Sequence, residues 1–145
     1  IFTLNELQIS SGRPGMPTAT ARLVGPNGQE YVSPGVGTGP VDATFRAIDA
    51  VVEARNTLLE YNVHSVTEGI DAMGEVTVRI KSPSGGRGKG RVFGGYGADT
   101  DVIVASAKAY LAALNRMLTA IGTKYTAGES GPSTLTVSRP QPVEA

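Results

Sequence analysis

The chain has 145 residues, 40% of them hydrophobic, which suits one domain or two closely packed halves and suffices for a buried core. Thirteen basic and thirteen acidic residues cancel, so the sequence carries no electrostatic footprint for nucleic acid. Cysteine is absent and there is one histidine, which excludes a disulfide framework, a thiolate nucleophile and a multi-histidine metal site. Nineteen glycines and nine prolines predict many turns. No apolar run approaches ~18 residues, so no membrane-spanning helix is predicted. The chain begins at Ile1 and enters a strand pattern at once, which predicts a piece of a longer protein.

Phe2 to Ile9 reads as a strand with Leu7 and Ile9 on one face. Ser10 to Pro17 is a Gly/Pro loop. Thr18 to Val24 alternates, with Ala19, Ala21 and Leu23 against Thr18, Thr20 and Arg22. Gly25-Pro26-Asn27-Gly28 is a turn, Asn-Gly being a favoured hairpin pair, and Gln29 to Val36 returns as a third strand. Gly35-Val36-Gly37-Thr38-Gly39-Pro40 then opens a helix running to Arg55. Val41, Phe45, Ile48 and Val52 give that helix a one-sided apolar stripe. Glycine permits close backbone approach and proline suits the first helical position. The turn therefore predicts free N–H groups at a helix N-terminus, an end able to hold a carboxylate or phosphate.

The second half repeats the order. Leu58 to Thr67 is a strand with Leu59, Tyr61 and Val63 alternating against Glu60, Asn62 and His64. Gly69 to Gly74 turns the chain. Glu75 to Lys81 alternates Val76, Val78 and Ile80 with Thr77, Arg79 and Lys81, and Arg91 to Tyr96 is a short returning strand. Gly94-Gly95-Tyr96-Gly97-Ala98-Asp99-Thr100-Asp101 forms a second glycine turn. It leads into a helix from Thr100 to Ile121, with Asp99 or Thr100 as N-cap. That helix is apolar beyond one stripe and rich in alanine, which predicts burial on two sides and contact with another subunit. From Gly122 the chain is polar and aperiodic and is expected to form a mobile tail, with a short edge strand at Thr134 to Val137. The predicted fold is α+β: two pseudo-symmetric βββα units, half one 1–56 and half two 57–121, each a small antiparallel sheet covered by one helix, with 122–145 as tail.

Little in the sequence carries catalysis. His64 lies in an alternating strand without a cysteine or metal partner and reads as a half-exposed strand residue. Asp99 and Asp101 read as acids complementing a helix dipole. Ser84-Gly85-Gly86-Arg87-Gly88-Lys89-Gly90-Arg91 lacks the Gly-Lys-Ser/Thr ending of a phosphate loop and precedes a strand, so it reads as a solvated hairpin. Two matched glycine turns before helices predict backbone groups that bind something small and polar.

Three motifs, in order, carry a family resemblance: Gly37-Thr38-Gly39-Pro40-Val41-Asp42-Ala43, the stretch Val66 to Val76, and Gly97-Ala98-Asp99-Thr100-Asp101-Val102 continuing to Asn115. Together they resemble the C-terminal regulatory domain of 2-isopropylmalate synthase over Phe2 to Leu118. The resemblance implies an enzyme that condenses acetyl-CoA with 3-methyl-2-oxobutanoate in leucine biosynthesis. It implies a TIM-barrel catalytic region using a divalent metal, which lies outside this chain, so that this domain has no catalytic centre, no metal and no cofactor of its own. It also implies a homodimer in a bacterial cytoplasm, with L-leucine as feedback inhibitor and neither nucleic acid nor membrane as partner. Carried over by motif, the effector site would use Gly37, Thr38, Gly39, Pro40, Val41, Leu58, Tyr61, Ser65, Gly97, Ala98, Asp99 and Thr100. An isoleucine-sensing domain of a citramalate synthase, or a dimerisation module without effector, are the alternatives.

Overall fold

The structure is a computed structural model of the chain and describes residues 1–10, 15–65, 73–83 and 90–121. The turn expected at Gly69 to Gly74, most of the Gly-rich hairpin after Ser82, and the tail with its Thr134 to Val137 strand fall largely or wholly outside these residues.

The described residues form two compact units that divide after Glu53. In the first, strands β1 (Thr3–Ser10), β2 (Thr18–Val24) and β3 (Glu30–Val36) make an antiparallel sheet in that order, followed by helix α1 (Pro40–Val52). In the second, β4 (Thr57–Ser65), β5 (Gly74–Lys81) and β6 (Val92–Asp99) repeat the sheet, followed by helix α2 (Val102–Ala120). The predicted α+β class and the doubled βββα order are both present.

The middle strand fixes each core. Ala19, Ala21 and Leu23 of β2 are buried, as are Val76, Val78 and Ile80 of β5. The alternation places these residues on one face of the pleat, and a helix packs over that face. α1 lies mainly over β2 and β3, and α2 over β5 and β6. Each helix thus leaves the first strand of its sheet at the margin. α1 ends where Glu53 takes a left-handed conformation (φ 50°), three residues before the expected end.

Both sheets carry the same irregularity. The β1–β2 register slips between Leu4 and Glu6, and the β4–β5 register slips between Leu58 and Glu60. One extra residue therefore bulges from each first strand, Asn5 in one and Leu59 in the other. In each case the glutamate after the bulge pairs with an arginine on the middle strand, Glu6 with Arg22 at 3.2 Å and Glu60 with Arg79 at 3.0 Å. An amide two residues on, Gln8 or Asn62, donates to the same carboxylate.

The bulge corrects the faces read from the sequence. Period-two counting groups Leu59 with Tyr61 and Val63. In the structure Leu58 lies opposite Ile80, Tyr61 opposite Val78 and Val63 opposite Val76. Leu58, not Leu59, therefore shares the helix-covered side with Tyr61.

The second glycine turn is also shorter than expected. β6 runs on to Asp99, so Gly94, Gly95 and Gly97 are strand residues. A Cβ on Gly97 would strike the Ala105 carbonyl and come within 2.7 Å of the Ala109 nitrogen. One on Gly95 would strike the Ala109 carbonyl and lie 2.5 Å from the Ala113 nitrogen. Gly35 of β3 meets Ala43 and Ala47 in the same way. These glycines bring helix backbone onto strand backbone, which explains why alanines face them.

Candidate functional site

Unit by unit, the site residues predicted from sequence fall on two strand-to-helix turns and one strand. Aligning Gly35 with Gly97 matches the turns residue by residue: Gly37 with Asp99, Gly39 with Asp101, Thr44 with Ser106, Arg46 with Lys108. Each turn holds a carboxylate between a backbone N–H and a basic side chain, Asp42 with Arg46 and Asp99 with Lys108, and the two differ at the N-cap.

In the first, Gly37, Thr38 and Gly39 link β3 to Pro40 at the first helical position. Gly37 donates its N–H to the Pro17 carbonyl at 3.2 Å. Asp42 folds back from the first turn of α1. Its Oδ2 accepts the Thr38 N–H at 2.9 Å and Arg46 Nε at 3.2 Å. The Thr38 amide first, and Arg46 with it, hold the Asp42 carboxyl below the usual carboxylate range. The N-cap is Gly39, extended at φ −158°, which offers no side-chain hydrogen bond to the helix end. A Cβ built on Gly39 meets nothing within 4 Å, whereas one on Gly37 would strike Asp42 Oδ2 and lie 2.6 Å from the Ala43 nitrogen.

In the second turn the helix end is closed. Asp101 is the N-cap, in place of the expected Asp99 or Thr100, and its Oδ1 accepts from the Ile103 N–H at 2.8 Å and the Val104 N–H at 3.4 Å. Asp99 accepts the Asp101 N–H at 2.9 Å and Lys108 Nζ at 3.0 Å. The Asp101 amide, then Lys108, holds the Asp99 carboxyl below its usual range. Thr100 is exposed, and Ala98 and Asp99 are half-buried.

The residues expected from β4 separate along it. Ser65 pairs with Gly74, which pairs with Asp99, so one row across the sheet runs from the end of β4 to the second turn. Tyr61 sits in the row of Val78 and Gly95. Leu58 sits in the row of Ile80 and Phe93, at the other end, about 20 Å along the strand from the Asp99 row. Within its unit, Leu58 is not brought to the second turn.

Tyr61 reaches across to α2, its Oη 2.8 Å from Ser106 Oγ. Ser106 is fully buried and donates to the Val102 carbonyl at 2.8 Å. That commits the serine proton, so Tyr61 is the donor to Ser106. The only hint of Ser106 in the sequence is one hydroxyl among the alanines of α2. His64 stands exposed on the other face, 3.8 Å from Glu75, as expected of a strand histidine. Among the described residues no three His, Cys, Asp or Glu side chains group as metal donors, and no helix is long and apolar enough to cross a membrane.

Duplicated βββα units, each with a strand-to-helix turn as its best-formed polar feature, define a two-unit α+β module. Residues 1–118 match the model of the LeuA allosteric (dimerisation) domain, and the chain belongs to that family. It is 54% identical over 116 residues to the 2-isopropylmalate synthase of Gloeobacter violaceus, covering 80% of this chain and 20% of that protein. To that of Gloeothece citriformis it is 52% identical over 121 residues, 83% of this chain and 22% of the relative. To that of Trichodesmium erythraeum it is 45% identical over 144 residues, 99% and 24% respectively. The chain thus spans about a fifth to a quarter of the curated relatives it matches, as their C-terminal, non-catalytic regulatory part.

Proposed function

We propose that this chain is the leucine-sensing part of a 2-isopropylmalate synthase. It dimerises, binds L-leucine, and lowers the rate of acetyl-CoA condensation with 3-methyl-2-oxobutanoate in a catalytic region elsewhere in the polypeptide. Inhibition then requires that leucine bind the inhibited state more tightly than the active one.

The observation that carries this reading is the contrast between the two helix starts. At α1, Gly39 leaves the first-turn N–H groups without a side-chain acceptor and the space before them open. At α2, Asp101 fills the equivalent place and Asp99 stands beside it. A helix start without a side-chain cap leaves backbone N–H groups that bind a ligand's carboxylate, beside the Asp42 carboxylate that Thr38 and Arg46 already engage. Such chemistry suits the carboxylate end of a free amino acid.

The test is Gly39→Asp, which installs at α1 the cap that α2 already has. Because a Cβ there meets nothing, the fold is retained and α1 gains a few tenths of a kcal/mol from its new cap. The new carboxylate competes with the ligand's. Calorimetry with L-leucine is expected to show saturable binding to the unsubstituted chain and binding at least tenfold weaker to Gly39→Asp. Equal affinity in the two would remove α1 from the site. Tighter binding of L-isoleucine than of L-leucine would shift the reading to a citramalate synthase regulator. Gly37→Asp is a poorer probe, because its side chain would collide with Asp42.

A further inference from the structure

The two units share strand order, bulge, ion pair, helix-facing glycine and a hydroxyl at the same helical position. Thr44 Oγ1 donates to the Pro40 carbonyl at 2.8 Å, as Ser106 Oγ does to Val102. Among the differences on the covered face, one bears on the helix start. The residue opposite the middle strand is Leu7 in the first unit, across from Ala21 and then Ser33, and Tyr61 in the second, across from Val78 and then Gly95. In the first unit the half-buried Leu7 has no hydroxyl to offer Thr44. This unit shows that the architecture folds without such a link.

The link in the second unit lies beside open apolar surface. β4 is an edge strand beside β5, and α2 lies mainly over β5 and β6. Leu58 and Val63, on either side of Tyr61 on the same face, are 44% and 48% exposed, while Val76, Val78 and Ile80 beneath α2 are fully buried. Val102, at the start of α2, is 38% exposed. A single phenol hydroxyl therefore ties the margin strand to the first turn of the helix, next to a surface suited to a branched aliphatic side chain.

We propose that the Tyr61–Ser106 hydrogen bond is a positioning link for the effector: it sets the first turn of α2 against β4, and leucine affinity depends on it. This rests on the leucine-sensing reading above. Ser106 is the positioning residue, acting through Tyr61 and the Val102 carbonyl.

The experiment is calorimetric titration of the 145-residue chain with L-leucine, for Ser106→Ala, Tyr61→Phe, the double variant and Ser106→Thr. Ser106→Ala and Tyr61→Phe are each expected to weaken leucine about 3- to 10-fold, the range for one lost hydrogen bond. The double variant is expected to be no weaker than the worse single, because both remove the same link. Ser106→Thr is expected to restore affinity, since Thr44 already holds the matching position in the first unit. A core-filling role alone would lower the melting temperature without moving the leucine Kd measured well below it. A fifth variant, Tyr61→Leu with Ser106→Thr, copies the first unit's pair. It is expected to stay folded by circular dichroism and to bind leucine as weakly as Tyr61→Phe. Leucine affinity within twofold of the unsubstituted chain in both single variants overturns the positioning role and leaves the leucine reading standing. Failure of the unsubstituted chain to bind leucine overturns the leucine reading itself, and this proposal with it.

Discussion

Three glycines near the first turn look alike in the sequence and do three different things. Gly35 gives up its side chain so that Ala43 and Ala47 can approach, Gly37 makes room for Asp42, and Gly39 borders open space. Periodicity reports only that glycine is present, because the reason lies in atoms brought close by packing. The expected outcome of substitution separates them. Gly35→Ala and Gly97→Ala each insert a methyl group against helix backbone and should cost about 1–3 kcal/mol or more, whereas Gly39→Ser should change stability by only a few tenths. Urea unfolding of the three variants checks this, and equal losses in all three would refute it.

At the level of elements, the strands and helices were legible because each middle strand alternates cleanly and each helix opens after a turn. The alternation from Thr18 to Val24 coincides with β2 to the residue. The failures have local causes. The bulge at Leu59 breaks period two by one residue, and no propensity marks it. β6 was cut short because Gly94, Gly95 and Gly97 suggest a turn, yet neighbouring strand and helix hold them extended. α1 was overrun because Glu53 terminates it in a conformation usually given to glycine. The sequence signal puts the cap of α2 one or two residues early, since Asp99, Thr100 and Asp101 are all good caps in isolation. Asp101 alone accepts from the helix N–H groups, so Asp101→Ala should cost ~1 kcal/mol. Asp99→Ala should leave those hydrogen bonds intact. Thermal unfolding, with amide exchange of Ile103 and Val104, distinguishes the two variants.

For the molecule as a whole, a doubled unit was visible in the order of elements. Its finer signature, Leu4-Asn5-Glu6 with Arg22 and Leu58-Leu59-Glu60 with Arg79, became meaningful only once the registers were known. The candidate site is legible in the sequence as two turns, but not that one helix start is capped and the other is not, because that depends on which carboxylate folds back to which N–H. That arrangement gives a whole-chain pH response. Asp42 and Asp99 both have carboxyls held below their usual value. A carboxyl with a lower pKa in the folded chain stabilises it above the ordinary carboxylate value near ~4 and loses that contribution as pH falls through its folded value. The melting temperature should therefore be flat above about pH 5 and fall below about pH 4, and Asp42→Asn with Asp99→Asn should flatten that acid limb. An unchanged limb in the double variant would place the acid sensitivity elsewhere.

The paired glycines of β6 have a mechanical consequence. Gly97 is seated between the Ala105 carbonyl and the Ala109 nitrogen, and Gly95 between the Ala109 carbonyl and the Ala113 nitrogen. Two residues of strand advance about 6.6 Å, and four residues of helix about 6 Å. The strand is thus a rack with two nearly equal teeth, and the alanines of α2 are the matching pinion. A shift of the helix by about one turn would bring Ala109 to the notch that Ala105 now shares at Gly97. In the first sheet the tooth that would match Gly95 is the serine Ser33, buried beneath the helix, so α1 has one notch and no second place to engage.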